Sequence, residues 1–278
     1  MPIPCAFSRV FLRWRRRFLC SATATPPCLE RQPNYPSPDP ATSTRLQFGS
    51  PPPHRRTLTQ DGPVTSDNTP GTTGVHLLVP LKPLARAKSR LLAGRGSAGH
   101  VELVTAMALD TVAAARRARG VVEVVVVSSD RALTEAFTGL GVEVVPDDPG
   151  DGLNAALRHG DEVLRARGAF RVGALQADLP ALRPGELGWA LRAAGTDRSF
   201  CPDLGGDGTT LLLGEPDQPL DPRFGPGSAE AHFESGAKSL LGPWESLRRD
   251  VDTEADLTAA EVVGLGPRTA ARLFRSGG

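Results

Sequence analysis

Residues 121–127, which read Val-Val-Glu-Val-Val-Val-Val, restrict the fold of this chain more than any other feature of its sequence. A valine run with almost no alternation between apolar and polar side chains is typical of a strand buried on both faces of a parallel sheet. Such sheets belong to α/β proteins, in which helices cover each face. The run therefore predicts an α/β fold.

Strand and helix patterns alternate around this run. Residues 101–117 carry an apolar stripe at helical spacing that closes at Gly120, so a helix is expected before the strand. The pattern also predicts strands at 75–79, 142–145 and 170–175 and helices at 131–137 and 153–167. After residue 178 it loosens into helices at 186–194, from residue 228 and from residue 254, with extended pieces at 199–201 and 209–213. This order predicts one doubly wound domain whose second half forms the substrate side.

The first 74 residues differ in composition from the rest. They hold thirteen of the 26 prolines and nine arginines, no lysine and four acidic residues. A segment of this kind cannot bury a core, and its opening apolar runs are too short and interrupted for a signal sequence. We predict that residues 1–74 are a disordered extension or follow a start codon assigned too early, and that residues 75–278 form one domain.

Composition excludes several classes of protein. Residues 75–278 carry 23 basic and 27 acidic side chains, which argues against a nucleic-acid surface. Three of the four cysteines lie in the extension and leave Cys201 alone in the domain, so a disulfide framework or cysteine metal cluster is not expected there. No apolar run approaches the roughly 18 residues of a membrane helix. A cytoplasmic protein that contacts no membrane is expected.

Two of the three lysines, Lys82 and Lys88, follow the predicted strand 75–79. The chain has 29 arginines, and an ammonium group differs from a guanidinium in being a compact point charge that suits a moving phosphate. The lysines also enter a loop at a strand exit, where α/β proteins commonly bind ligands. The alternative is a pair of solvated surface charges.

Two acidic segments are candidates for a metal site. Asp178 leaves the predicted strand 170–175, a place suited to holding Mg²⁺, although it could instead cap the helix that follows. Asp250 and Asp252 form the second segment, and Thr253 is a natural cap for the last long helix. The two aspartates are predicted to turn to opposite sides of the chain, so only one of them is expected to meet a metal.

Glycine-rich segments in the second half suggest anion binding. Glycines 205, 206 and 208 precede Thr209 and Thr210, whose hydroxyls could hold an anion, but a tight hairpin would use the same glycines. Ser228 follows Phe-Gly-Pro-Gly and is predicted to cap a helix whose free N–H groups would face a phosphate or carboxylate. The alternative there is an ordinary glycine-rich loop with a serine cap.

Two further polar residues have open interpretations. His232 could act as a base, but a lone histidine on a short helix is more often structural. Asn154, at the start of the helix 153–167, could read the edge of a nucleobase, or could cap or pack against the adjoining turn.

Five motifs together resemble one family. In chain order they are Val-Pro-Leu-Lys-Pro-Leu-Ala-Arg-Ala-Lys-Ser-Arg-Leu at 79–91, Leu-Gln-Ala-Asp-Leu-Pro at 175–180, Gly-Asp-Gly-Thr-Thr at 206–210, Phe-Gly-Pro-Gly-Ser at 224–228 and Asp-Val-Asp-Thr at 250–253. They are similar to the 2-phospho-L-lactate or phosphoenolpyruvate guanylyltransferases of coenzyme F420 biosynthesis. The resemblance implies a Rossmann-like three-layer α/β/α nucleotidyltransferase domain of the molybdenum-cofactor guanylyltransferase type. Its sheet would be mixed but mostly parallel, and its ligands GTP and Mg²⁺.

The resemblance also implies roles for individual residues. Asp178 matches the metal-binding aspartate, and the second metal aspartate lies at 250–252, where Asp250 is favoured over Asp252. Thr210, Gly225 and Ser228 match positions that hold the phosphorylated acid. Leu81, Lys82 and Lys88 belong to the triphosphate loop, which here has no glycine, so that cationic side chains must carry more of the binding.

The implied reaction is attack by a phosphate oxygen of the acceptor on the α-phosphorus of GTP, with loss of pyrophosphate. The residues of the motifs resemble those of the actinobacterial branch of the family. This resemblance implies phosphoenolpyruvate as acceptor and enolpyruvyl-diphospho-5′-guanosine as product. The alternatives are 2-phospho-L-lactate, a sugar-phosphate or molybdopterin nucleotidyltransferase of the same fold, and a non-catalytic nucleotide-binding module. A homodimer is a candidate assembly.

Overall fold

The computed structural model describes residues 74–81, 97–147 and 151–275. The predicted extension, apart from Gly74, lies outside the described residues. So do Lys82 and Lys88. Among the described residues, no helix combines the length and the apolar character that a membrane span requires.

The described strands form one seven-stranded sheet in the order β3-β2-β1-β4-β6-β5-β7. The strands are β1 Val75–Pro80, β2 Val121–Val127, β3 Glu143–Val145, β4 Val172–Leu175, β5 Ser199–Pro202, β6 Thr209–Leu213 and β7 Lys238–Ser239. Strand β6 runs antiparallel to both of its neighbours, and the other pairs are parallel. The prediction of a mixed, mostly parallel sheet is confirmed.

The valine run that suggested this fold is buried only in its second half. Val124 to Val127 are at most 5% exposed, whereas Val122 is 58% exposed. The first half of the strand lies before its pairing with β3, and there the Glu123 side chain contacts His76 of β1 (Oε1 to Nδ1, 3.2 Å). The strand therefore enters the core as it approaches the carboxyl edge of the sheet.

Helices cover both faces of the sheet. They are α1 Ser97–Ala115, α2 Arg131–Thr138, α3 Leu153–Ala166, α4 Pro184–Ala194, α5 Ser228–Glu234, α6 Glu245–Arg248, α7 Glu254–Val263 and α8 Pro267–Arg275. Strand β7 and helices α6 and α8 were not predicted; β7 has two residues and α6 has four, too few for a periodic signal. Strand β4 begins two residues later than predicted, since Phe170 is 45% exposed.

Two hydrophobic clusters define the three layers. Adjacent residues of a strand point to opposite faces, so that Leu77 belongs to one cluster and Leu78 to the other. The first cluster includes Met107 of α1 and Leu187 of α4, and the second includes Leu157 of α3. The sheet thus lies between two helical layers, and the predicted α/β/α architecture is confirmed.

Candidate active site

Three carboxylates meet at the carboxyl edge of the sheet. One oxygen each from Asp178, Asp250 and Asp252 lies within 4.8 Å of the other two. Asp178 and Asp250 are half-buried, and Asp252 is exposed. The two acidic segments identified in the sequence therefore form one cluster, although they are more than 70 residues apart in the chain.

A hydrogen bond between backbone groups joins the two segments. The Val251 N–H donates to the Asp178 carbonyl at 3.0 Å, and the Val251 side chain is fully buried. The next helix, α4, has Arg183 as its N-cap, so Asp178 does not cap it. The alternative interpretation of Asp178 as a helix cap is therefore wrong.

Asp250 and Asp252 do not turn to opposite sides, contrary to the prediction. Alternation along an extended chain has a period of two, so residues 250 and 252 share one side while Val251 between them is buried, and the prediction applied this period wrongly. The Asp256 carboxylate accepts the N–H groups of Asp252 at 3.2 Å and Thr253 at 2.8 Å. The Thr253 hydroxyl in turn accepts the Asp256 N–H at 3.2 Å, which confirms Thr253 as the cap of α7. This capping box fixes the backbone that follows Asp252.

The glycine-rich segment 205–208 is the hairpin turn between β5 and β6. The Asp203 carboxylate accepts the N–H groups of Gly206 at 2.5 Å, Asp207 at 3.1 Å and Gly208 at 2.8 Å. Gly206 has φ of 80°, a conformation that favours glycine. The hairpin interpretation is therefore confirmed, and these N–H groups serve the turn.

The residues expected to hold the phosphorylated acid lie beside this hairpin. Thr210 is buried in β6, where its hydroxyl donates to the Cys201 carbonyl at 3.3 Å. Gly225, with φ of 144°, belongs to the loop before α5. Ser228 is the first residue of α5 and is not its N-cap, because Gly227 takes that position with φ of 71°. The prediction of a serine cap is wrong, since the left-handed glycine begins the helix one residue earlier.

The N–H groups at the start of α5 are also bonded within the protein. Those of Gly227 and Ala229 donate to the carboxylate and carbonyl of Asp207 at 3.3 Å and 3.0 Å. The Ser228 N–H donates to the Gly225 carbonyl at 3.1 Å. The expectation that these groups are free for an anion is therefore wrong, because Asp207 of the hairpin turn and Gly225 of the loop before α5 supply the acceptors.

His232 is a structural residue of the same region. Its ring is fully buried, its Nε2 accepts the Arg223 N–H at 3.0 Å, and its Nδ1 lies 2.9 Å from the Thr209 hydroxyl. Burial, helped by the nearby Arg198 guanidinium, lowers the pKa of His232 to about 4. The ring is therefore neutral at pH 7 with Nδ1 as the donor, and the structural interpretation is favoured over a base.

Asn154 makes two bonds to one residue of the loop before α5. Its Nδ2 donates to the Phe224 carbonyl at 2.9 Å, and its Oδ1 accepts the Phe224 N–H at 2.8 Å. The amide thus pairs with a backbone unit as a neighbouring strand would. This contact is with a distant loop and not with the adjoining turn, and Asn154 does not cap α3, whose N-cap is Gly152. The geometry gives no support to reading of a nucleobase.

Leu81, where the candidate triphosphate loop begins, leaves the sheet at the edge that carries the acidic cluster. It follows β1 directly, is 8% exposed, and donates its N–H to the Val127 carbonyl at 2.9 Å. Because β1 and β4 are parallel neighbours, Leu81 and Asp178 leave the sheet at the same edge. The loop that begins at Leu81 therefore starts on the side of the sheet that carries the carboxylates.

Sequence reasoning missed a residue that ties the cluster to the hairpin. The Arg248 guanidinium donates to the carbonyls of Pro202 at 3.1 Å and Asp203 at 2.8 Å. Its own carbonyl accepts the Leu204 N–H at 2.9 Å. With 29 arginines in the chain, neither composition nor spacing distinguishes this one.

Comparison with known proteins identifies the family. Residues 75–274 match the family described as guanylyl transferase CofC like. A phosphoenolpyruvate guanylyltransferase of Thermomonospora curvata is 52% identical over 202 residues, which are 72% of this chain and 88% of the relative. One of Streptomyces scabiei is also 52% identical, over 206 residues that cover 72% of this chain and 95% of the relative.

A solved structure supports the fold. A protein of Desulfovibrio desulfuricans G20, described as a nucleotide-diphospho-sugar transferase, superposes with a TM-score of 0.57 at 19% identity and covers 73% of this chain and 95% of its own. At this identity the similarity supports the fold alone. The family match and the two relatives carry the assignment, and the chain belongs to the guanylyl transferase CofC-like family.

Proposed function

We propose that this protein is a phosphoenolpyruvate guanylyltransferase, which transfers the guanylyl group of GTP to phosphoenolpyruvate and releases pyrophosphate. The observation that carries the proposal is the cluster of Asp178, Asp250 and Asp252 at the carboxyl edge of the sheet. Family membership and the names of the two relatives support the reaction and the acceptor. The predicted product is enolpyruvyl-diphospho-5′-guanosine.

The donor set of the cluster suits Mg²⁺. Carboxylate oxygens are the hard ligands that this ion prefers, and one or two of them usually leave room for water and substrate phosphates. In our proposal Asp178, Asp250 and Asp252 supply these oxygens. Mg²⁺ bound there would neutralise phosphate oxygens and stabilise the charge that develops on them during transfer.

The other proposed roles follow from chemistry and position. Lys82 and Lys88, on the loop that begins at Leu81, are proposed to neutralise the triphosphate. Thr210, Gly225 and Ser228 are proposed to hold the acceptor. A phosphate monoester with a second pKa near 6 is largely dianionic at pH 7 and can attack without a strong general base. His232, which is neutral and makes two hydrogen bonds within the protein, is compatible with this chemistry.

The proposal also identifies the acceptor. Phospholactate and phosphoenolpyruvate differ at two carbons, and the names of the relatives favour phosphoenolpyruvate. The cytoplasmic location and the homodimer expected from the sequence remain predictions.

A pyrophosphate-release assay tests the reaction. Purified protein with Mg²⁺ is given GTP, ATP or CTP and, in turn, phosphoenolpyruvate, 2-phospho-L-lactate or a sugar phosphate. We expect release with GTP and phosphoenolpyruvate, and mass spectrometry should find the guanylylated acid. Release only with phospholactate would correct the acceptor, and release only with ATP or CTP and a sugar phosphate would overturn the proposal.

Asp178→Asn keeps the size of the side chain and removes its charge. We expect kcat to fall by about 100-fold or more, because a metal ligand is lost. Asp197→Asn is the matched control, since Asp197 is exposed, pairs with Lys238 at 2.5 Å and precedes β5 at the opposite edge of the sheet. GTP binding without turnover, unchanged by Asp178→Asn, would instead support a non-catalytic nucleotide-binding module.

A further inference from the structure

Thr111 of α1 bonds the chain on both sides of Asp178. Its side chain is fully buried. The hydroxyl accepts the Leu179 N–H at 3.1 Å and lies 3.1 Å from the Ala177 carbonyl. These two peptide groups flank Asp178, so one buried hydroxyl fixes the backbone from which the carboxylate projects.

The hydrogen bond from the Leu179 N–H to the Thr111 hydroxyl forms whichever way the hydroxyl proton points. A hydroxyl has one proton and two lone pairs, so it accepts from Leu179 while its proton is shared between two carbonyls. These are Ala177 and Met107, which lies one helical turn before Thr111 at 2.9 Å. Removing the hydroxyl would leave the Leu179 N–H and the Ala177 carbonyl buried without this partner, and a buried polar group without a partner is costly.

The residue before Thr111 fixes helix α1 from the other direction. The Asp110 carboxylate is 2% exposed and accepts the backbone N–H of Thr269 at 2.7 Å and its hydroxyl at 2.8 Å, both in α8. The Gly266 N–H, just before α8, donates to the Pro180 carbonyl at 2.7 Å. Helix α1 and the start of α8 therefore hold the loop that carries Asp178 from two sides.

We propose that Thr111 is a positioning residue that sets the place of the Asp178 carboxylate and thereby the affinity of the acidic cluster for a divalent cation. This inference rests on the proposed function, in which the cluster holds the metal. Groups that orient metal ligands without touching the metal typically change metal affinity or activity by about 10-fold to 100-fold when they are removed. Thr111 would act through backbone bonds, so its loss should weaken metal binding more than it weakens the chemical step.

Thr111→Val tests this inference because it replaces the hydroxyl with a methyl group of similar size. Thr105→Val is its matched control, since Thr105 lies on the same helix and makes the same bond to the fourth preceding residue (Val101 carbonyl, 2.8 Å). Thr111→Ser keeps the hydroxyl and should restore binding. Binding of Mn²⁺ to the whole chain without nucleotide is measured directly by electron paramagnetic resonance, and the Mg²⁺ dependence of pyrophosphate release is measured in parallel.

We expect Thr111→Val to raise the Kd for Mn²⁺ by about 10-fold to 100-fold, while kcat at saturating Mg²⁺ falls much less. Thr111→Ser and Thr105→Val should stay within about 3-fold of wild type, since each keeps the hydroxyl beside Asp178. If thermal melting shows that Thr111→Val does not fold, Thr111→Ala replaces it with the same expected result.

Asp178→Asn separates this inference from the proposed function. If Asp178→Asn weakens Mn²⁺ binding and a folded Thr111→Val binds Mn²⁺ as wild type does, only the role of Thr111 is overturned. If Asp178→Asn binds Mn²⁺ as tightly as wild type, the proposed metal site fails and the inference falls with it. Equal losses in Thr111→Val and Thr105→Val would indicate damage to α1 and would also overturn the role of Thr111.

Discussion

The acidic cluster and the hairpin beside it use aspartate in opposite ways. In the cluster, the two acidic segments are joined by the backbone bond between Val251 and Asp178, and the three carboxylates converge on one another. In the hairpin, the carboxylates of Asp203 and Asp207 turn toward N–H groups of their own surroundings. Three carboxylates brought together repel one another and favour a bound cation, whereas carboxylates on N–H groups stabilise the fold.

This contrast shows which half of the candidate site is arranged in advance. In the half proposed to bind a metal, the three carboxylates already converge. The acceptor half, around Gly225 and Ser228, has its N–H groups bonded to Asp207 and Gly225. An anion at that half must therefore displace an internal acceptor or bind to side chains.

The largest expected effect tests whether all three carboxylates act as one site. Asp250→Asn should reduce kcat by about 100-fold or more, as for Asp178, because both are half-buried in the cluster. Asp252 is exposed and its charge is screened by solvent, so Asp252→Asn should cost about 10-fold. Steady-state kinetics over a range of Mg²⁺ concentrations measures both variants.

Asp256→Asn is a control for indirect effects, since Asp256 shapes the segment through the capping box. It should change thermal stability more than kcat. A larger loss in Asp252→Asn than in Asp250→Asn would reverse the assignment of the principal second ligand.

Much of the fold could be predicted from the sequence because its signals are local. The valine run of β2, the apolar stripe of α1 and the Thr253 cap of α7 depend on residues close together in the chain, and each is found where it was expected. Helix α6 has four residues and no such signal, and it was missed. Its position nevertheless matters, because it leads directly into Asp250.

The site was predictable in its residue types but not in its bonds. Asp178, Asp250 and Asp252 were identified, but the last two were predicted to turn apart, although the period of two in an extended chain puts residues 250 and 252 on the same side. The N–H groups of α5 were expected to be free, and the acceptor that occupies them, Asp207, lies in a different segment. Thr111 was overlooked because its two partners beside Asp178 are more than 60 residues away.

The next largest effect is the loss of protein stability at acid pH that comes from His232 in the acceptor half. The pKa of His232 is about 4 in the folded protein, against 6.5 for an ordinary histidine, because burial disfavours the charged ring. Between these values the unfolded chain binds the proton more readily, so the stabilising contribution is complete above pH 6.5 and is lost as pH falls. The full loss below pH 4 would be roughly 3 kcal/mol.

Thermal melting of wild type and His232→Gln from pH 7 to pH 4.5 checks this prediction. His232→Gln should be less stable at pH 7 and should lose less stability on acidification, because the titrating ring is absent. His159→Gln on α3, a less buried histidine, is the control and should follow wild type. Parallel pH dependence in wild type and His232→Gln would show that other groups govern acid unfolding.

The smallest effect asks whether Asp207 competes with the acceptor. Its carboxylate accepts the Gly227 N–H at 3.3 Å, between the proposed acceptor residues Gly225 and Ser228. Asp207→Asn keeps an acceptor oxygen for that bond and removes a negative charge that repels an anion. An interaction between exposed charges is typically worth about 0.2–1 kcal/mol, so KM for phosphoenolpyruvate should fall by up to roughly 5-fold with kcat little changed.

Asp197→Asn, at the far edge of the sheet, should leave KM for phosphoenolpyruvate unchanged and separates a local effect of Asp207 from a change in net charge. KM for GTP should also stay the same in Asp207→Asn, since the triphosphate is proposed to lie near the loop that begins at Leu81. A higher KM for phosphoenolpyruvate in Asp207→Asn would mean that the carboxylate serves the acceptor site by holding the start of α5. In that case the acceptor half, like the acidic cluster, is arranged before substrate binds, and the contrast between the two regions disappears.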